Sequence, residues 1–287
     1  MRHLLSINDL GLDTSIFNIA NTLKYQGTLI GKTITTLFYE PSTRTRLSFE
    51  LAAKRQGAEV IAFDPEISSE QKGESLKDTA LTLQALGADV LVIRHPKNGV
   101  PKEISQWVDC SVVNAGDGTN EHPTQALIDL YTIKQKLGSV AGVRVGIVGD
   151  VKHSRVAHSL YLALAKAGAD PVLIGPKDVV SSRPGPYVKY DLDAELPSLD
   201  VYYVLRAQTE RHGKDYYLSH FNDYKLTVER ASRLPSHAIV MHPGPMNRGV
   251  EIDSDVADSS RSVILDQVKN GVIVRAAVLY WLLRGRG

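Results

Sequence analysis

Short apolar runs alternate with helical patterns along this 287-residue chain, and that alternation limits its fold more than any other feature. Residues 33–39 are β-branched and aromatic and read as a buried strand. A helix follows to about Gln56, and Gly57 ends it as a C′ glycine. Glu59–Phe63 is the next strand. Residues 76–86 form a helix stopped by Gly87, and 89–94 form a strand with a continuous apolar centre, Val90 to Ile93. A short helix at 102–107 and a strand at 111–114 complete the first cycle, preceded by an amphipathic helix or two over 6–25. A second cycle runs through a strand at 143–148, a helix at 154–167, strands at 171–174, 201–205 and 238–241, and an apolar helix at 267–284. Short apolar strands joined by helices are the pattern of a parallel sheet covered on both faces. The expected fold is therefore α/β, with two successive doubly wound domains. The boundary falls in the helix at 126–137, giving domains 1–130 and 131–266, with the last helix, 267–287, packing back on the first.

In such sheets ligands sit beyond the carboxyl ends of the strands. Six polar clusters fall there: Ser42–Arg46, Arg94-His95-Pro96, His122–Gln125, Gly149–Arg155, Arg206–Gln208 and His242–Pro245. Together they point to one active site in an interdomain cleft. The first follows Phe38-Tyr39-Glu40-Pro41. Its Ser42-Thr43-Arg44-Thr45-Arg46 turn opens a helix carrying Leu47 and Leu51. A helix N-terminus offers unpaired N–H groups and partial positive charge; hydroxyls and a guanidinium fork make phosphate the anion that fits. Taken alone, a capped surface helix with two solvated arginines has the same local chemistry. His242-Pro243-Gly244-Pro245-Met246 is a loop, since two prolines exclude helix and ladder.

Bulk properties narrow the classes. A formal net charge of +1 argues against a general nucleic-acid or membrane-surface binder. No apolar stretch is long enough to span a bilayer and no signal peptide is visible. The single cysteine, Cys110, lies in an apolar run and reads as an inert core thiol in a reducing cytoplasm.

Two motifs, Ser-Thr-Arg-Thr-Arg at 42–46 and His-Pro-Thr-Gln at 122–125, resemble the signatures of the aspartate/ornithine carbamoyltransferase family, and the resemblance covers nearly the whole chain. Residues 68–74, 206–211 and 241–245 are similar to its aspartate branch. The ornithine branch would carry His-Cys-Leu-Pro near the last of these, where this chain has no cysteine.

The resemblance implies transfer of a carbamoyl group from carbamoyl phosphate to L-aspartate, a step of pyrimidine synthesis, without metal or cofactor. It implies that Ser42, Thr43, Arg44 and Thr45 hold the phosphate. Arg94 and His122, with Thr45, surround the carbamoyl oxygen, and Gln125 with the carbonyls of Gly244 and Pro245 holds the carbamoyl NH₂. Arg44, Thr45, Arg94 and His122 are the implied catalytic residues. Arg155 and Arg206 would clamp the two carboxylates of aspartate, with Gln208 adding a contact. Ser68 and Lys72 match a loop that reaches a neighbouring subunit's site, Lys72 touching both substrates, so a homotrimer with shared sites is implied. Ser69 stands beside Ser68 and competes for its assignment. Glu40 would pair with Arg155 or Arg211 when substrates close the cleft. Lys225 is a candidate by charge only for a flexible aspartate-side loop. Family members differ in partners: some bind regulatory chains or a dihydroorotase, others are bare trimers, and both arrangements stay open.

Three rivals remain at this stage. One is a carbamoyltransferase for ornithine or another amino acid; another is a non-catalytic anion-binding homologue. The third is a dinucleotide-dependent oxidoreductase, disfavoured because the turn at 149–155 lacks Gly-x-Gly-x-x-Gly spacing.

Overall fold

The computed structural model describes residues 2–10, 15–23, 27–65, 73–180, 187–207 and 214–284. The chain is α/β and divides into two compact units, Met1–Tyr131 with Val268–Gly287, and Thr132–Gln267.

The first unit is built on β1 (Thr33–Phe38), β2 (Glu59–Phe63), β3 (Val90–His95) and β4 (Ser111–Asp117), all parallel in the order β2-β1-β3-β4. The central pair is buried on both faces: Ile34, Leu37 and Val90 to Ile93 have no exposed surface. Burying each such side chain contributes about 1.5–3 kcal/mol. Helices α1 (Ser15–Thr22), α2 (Thr43–Arg55), α3 (Leu76–Ala85), α4 (Val100–Ile104) and the start of α5 (Pro123–Leu137) connect or cover these strands. Gly57, at φ +81°, does terminate α2 one residue past its C-cap. Cys110 is buried among Leu83, Leu91, Ile104 and Val112.

The second unit holds β5 (Arg144–Val148), β6 (Asp170–Ile174), β7 (Val188–Lys189), β8 (Val201–Val204) and β9 (Ile239–Met241), again all parallel, in the order β7-β6-β5-β8-β9. Helix α6 (Arg155–Lys166) crosses from β5 to β6. Short helices α7 (Lys177–Val180), α8 (Leu192–Glu195), α9 (Lys214–Phe221), α10 (Val228–Ser232) and α11 (Ser254–Ala257) fill the connections, and α12 (Ile264–Leu283) closes the chain.

Several boundaries differ from the sequence reading. The short helix expected at 102–107 runs from Val100 to Ile104, because Gly99, at φ +83°, turns the chain into a Pro101-bearing first turn. Strand β4 continues past Asn114 to Asp117, through a register shift against β3, and α5 starts at Pro123. Helix α12 begins three residues before Gln267. Residues 6–25 give a 3₁₀ turn, Ile7–Leu10, and the two-turn helix α1. In α2 the leucines point outward: Leu47 and Leu51 are 52% and 40% exposed, while Thr45, Ser48, Phe49, Ala52 and Ala53 form the buried face.

Among the described residues no helix is long and apolar enough to cross a membrane.

Candidate active site

In the first unit the carboxyl ends of β1, β3 and β4 lie side by side, and each carries one polar cluster. Tyr39 N–H donates to the Arg94 carbonyl (2.9 Å), which locks the β1 exit against the β3 exit. Ser42 is the N-cap of α2, but its side chain makes no capping bond, and no acidic residue stands in the first turn. Its carbonyl accepts from Arg46 N–H (3.1 Å). Ser42 thus leaves the first-turn N–H groups uncapped by its own side chain, which suits them to an external anion. Thr43 and Arg44 are exposed there, and Thr45 is buried.

Arg94 is mostly buried. Its Nε lies 2.8 Å from Glu40 Oε1 and its Nη1 donates to the Ala115 carbonyl (3.4 Å). Glu40 lies against Arg94 because β1 and β3 are neighbours and end together; its expected pairing with Arg155 or Arg211 belongs to the substrate-closed cleft, and Arg211 lies outside the described residues.

The third cluster is organised by Asp117, which is 1% exposed. Its Oδ1 accepts from Asn114 Nδ2 (2.8 Å) and Glu121 N–H (3.1 Å), and its Oδ2 accepts from Gly99 N–H (2.7 Å) and Asn120 Nδ2 (3.0 Å). Gly118 follows at φ +47°. A Cβ there would overlap Asn98 Oδ1, which accepts from Thr119 N–H (2.9 Å). This turn delivers His122, buried, immediately before Pro123 at the start of α5. Gln125 lies one turn on, and its Nε2 donates to Asp129 Oδ1 (2.9 Å).

Sequence reasoning missed a cation under these clusters. Arg275 of α12 is 4% exposed; its guanidinium lies over the Phe49 ring (5.0 Å) and donates through Nη1 to Ser48 Oγ. Ser48 Oγ in turn donates to the carbonyls of Arg44 (2.7 Å) and Thr45 (3.0 Å). Burial pushes the Arg275 pKa down to about 9, and the Arg94 charge adds to the fall while Asp129 opposes it. A lone arginine inside the run Val272 to Leu283 was the signal that could have found it.

In the second unit β5 and β8 are neighbours, with Val148 opposite Val204. Beyond β5 the chain turns at Asp150, whose carboxylate accepts from His153 N–H (3.2 Å), and Ser154 caps α6 by accepting from Ala157 N–H (3.2 Å). Arg155 is the first residue of α6. Arg206 comes two residues after β8, and both arginines are half-buried. Beyond β9 lies the loop with Gly244 and Pro245, which contains a cis Gly244–Pro245 bond. Lys225, the candidate by charge only, is held by Asp253 (2.7 Å). Ser68, Ser69, Lys72 and Gln208 lie outside the described residues.

Residues 2–135 match the family model described as aspartate/ornithine carbamoyltransferase, carbamoyl-P binding domain, and residues 141–282 match its Asp/Orn binding domain. The chain belongs to the aspartate/ornithine carbamoyltransferase family. Within this family it is similar to the aspartate carbamoyltransferase catalytic subunit of Salinispora tropica, with 54% identity over 99% of both chains. That of Thermobifida fusca is 52% identical, over 99% of this chain and 96% of its own. Among solved structures, the catalytic subunit of aspartate transcarbamoylase from M. jannaschii superposes with a TM-score of 0.87 at 38% identity, covering 100% of both chains. Aspartate transcarbamoylase from Trypanosoma cruzi, in complex with carbamoyl phosphate and aspartate, gives 0.86 at 30% identity over 97% of this chain and 94% of that one.

Proposed function

We propose that this chain transfers the carbamoyl group of carbamoyl phosphate to the amine of L-aspartate, giving N-carbamoyl-L-aspartate and phosphate. The observation that carries the reading is the acid-free N-terminus of α2, where Ser42 makes no side-chain cap and Arg94 stands at the adjoining strand end. On this reading the first unit is the carbamoyl-phosphate-binding domain and the second the aspartate-binding domain.

The N–H groups at the start of α2, the hydroxyls of Ser42, Thr43 and Thr45 and the Arg44 guanidinium bind the phosphate and stabilise it as it leaves. Arg94, His122 and the Thr45 hydroxyl donate to the carbamoyl oxygen as it becomes an oxyanion. Gln125 and the carbonyls of Gly244 and Pro245 take the carbamoyl NH₂; carbonyls accept only from a donor, so an acetyl group is disfavoured. The aspartate amine attacks the carbamoyl carbon, the C–O bond to phosphate breaks, and the departing phosphate accepts the amine proton. The remaining work is alignment of two substrates.

Arg155 and Arg206, at neighbouring strand ends, support a dicarboxylate acceptor. Ornithine would instead need an acidic group for its distal amine. Steady-state assays are expected to show turnover with aspartate and none with ornithine. Arg206→Ala is expected to raise the KM for aspartate roughly 100-fold by removing a charged, forked contact. Turnover with ornithine, or an unchanged KM in the variant, would reject this assignment.

The same reading makes the protein a cytoplasmic homotrimer in which Ser68 and Lys72 serve a neighbouring site. It rests on the resemblance of residues 68–74 to the family loop that reaches a neighbouring subunit's site. Mass photometry at assay concentrations is expected to give a mass near three times 31.5 kDa; a monomer would overturn the assembly.

A further inference from the structure

The loop that would read the carbamoyl NH₂ is built around a buried pair that no substrate role accounts for. His242 is 1% exposed and Glu251 2%. Glu251 Oε1 accepts from His242 Nε2 (3.1 Å) and from the backbone N–H of Asn247 (2.5 Å). His242 Nδ1 accepts from the backbone N–H of Gly244 (2.8 Å). The His242 N–H donates to Gln267 Oε1 (3.0 Å). A backbone N–H can only donate, so Nδ1 is bare and the ring proton sits on Nε2, facing the carboxylate. One carboxylate thus grips the loop at both ends, through the His242 side chain and the Asn247 backbone. The imidazole pins the peptide of Gly244 from below.

Gly244 has no side chain, and Pro245 has no N–H. Neither can fix the direction of its own carbonyl by local bonding, so that direction is set by what holds the loop from outside. Asn247 extends the arrangement: its Nδ2 donates to the Ala207 carbonyl (3.1 Å), one residue past Arg206. Among the described residues, the other carboxylate oxygen, Glu251 Oε2, is buried without a hydrogen-bond partner. A carboxylate with one orphaned oxygen is an expensive way to stabilise a fold, whereas it suits a group retained for where it holds its neighbours.

We propose that Glu251 and His242 are positioning residues that aim the Gly244 and Pro245 carbonyls, and that through Asn247 they tie this aim to the segment bearing Arg206. The pair touches neither substrate; it acts through the loop. The proposal rests on the carbamoyl-transfer reading of the preceding section and adds the device that makes the loop selective.

The test compares wild type, Glu251→Leu, Glu251→Gln and Glu251→Asp, using binding of carbamoyl phosphate and acetyl phosphate by calorimetry and turnover with aspartate. Leucine removes both acceptances at Oε1. Its affinity for carbamoyl phosphate is expected to fall about 10-fold, and preference over acetyl phosphate to fall by about the same factor. Inorganic phosphate, which lacks the NH₂, is expected to bind as in wild type. Glutamine keeps an acceptor at Oε1 and is expected to retain the preference within about threefold. Aspartate draws the carboxylate back by one methylene and is expected to lose preference several-fold; it decides the matter if the leucine protein does not fold. A folded leucine or aspartate variant with wild-type preference overturns the proposal. A wild-type protein that binds both phosphates equally and does not turn over aspartate instead overturns the functional reading beneath it.

Discussion

Arg94→Ala is expected to lower kcat by about 10²–10³, the usual cost of removing one donor to a developing oxyanion. The effect is expected mainly in kcat, because the charge on the carbamoyl oxygen grows only toward the transition state. Lysine should not restore it: a point charge cannot reproduce a fork that now spans Glu40 and the Ala115 carbonyl. Removing the guanidinium also takes away a partner of Glu40, so the single variant mixes two effects. The double variant Glu40→Gln/Arg94→Ala separates them. If the loss is catalytic, the double variant stays as slow as Arg94→Ala; if the loss comes from a displaced glutamate, it recovers. Steady-state kinetics on the three proteins decides, and an Arg94→Ala enzyme with wild-type kcat would remove Arg94 from the reaction.

Asp117→Ala is expected to give the largest loss of stability. One buried carboxylate accepts from Gly99 N–H, Glu121 N–H and the side chains of Asn114 and Asn120. Alanine leaves several of these donors buried without an acceptor, at about 1–3 kcal/mol each. The sum places the variant about 3–5 kcal/mol below wild type, in the range of broken buried networks. At roughly 2–4 °C per kcal/mol for a chain of this size, an apparent Tm lower by about 10 °C is the expected result of a thermal melt. Activity should fall further than the folded fraction does, because the same turn sets His122 at the head of α5. Asp117→Asn is expected to fall between the two, since its amide keeps one acceptor but turns a donor toward another donor. A melt of Asp117→Ala that overlays wild type would show that the turn is held by other bonds.

These two residues also mark what could be read from the residues alone. Arg94 was legible because it ends an apolar strand, where period and composition agree and a polar side chain stands out. The strands at the centres of both sheets were legible for the same reason. Asp117 was not, because Ala115-Gly116-Asp117-Gly118 has the composition of a turn while its first three residues continue β4. Tertiary pairing with β3 and the bonds of Asp117 outweigh local preference there. Helix α2 misleads in a related way. Its leucines are exposed, and its buried face mixes Thr45 and Ser48 with Phe49, Ala52 and Ala53, because Ser48 there meets the buried Arg275. Asp129 accepts from the Gln125 side chain, and Glu251 from the His242 side chain and the Asn247 backbone; nothing in their spacing except the four-residue interval from Gln125 to Asp129 announces it. The four-residue helices α7, α8 and α11 are too short to show a period.

The division of the chain has a consequence for how it is made. The second unit is continuous, Thr132–Gln267, whereas the first is interrupted by it and needs Val268–Gly287 to be whole. That last segment supplies Val274, Ala277, Val278 and Leu282 to the interior, places Arg275 under Ser48, and offers the Trp281 carbonyl to Arg2 (3.1 Å). On a ribosome, the unit whose synthesis begins first therefore finishes last. Its apolar face and the underside of the Ser42–Arg46 turn wait roughly ten to thirty seconds, at ordinary rates of translation, for their covering helix. The second unit can close in the meantime. The order of emergence and the order of folding run opposite ways, and the Ser42–Arg46 turn gains its buried support only when α12 has left the tunnel.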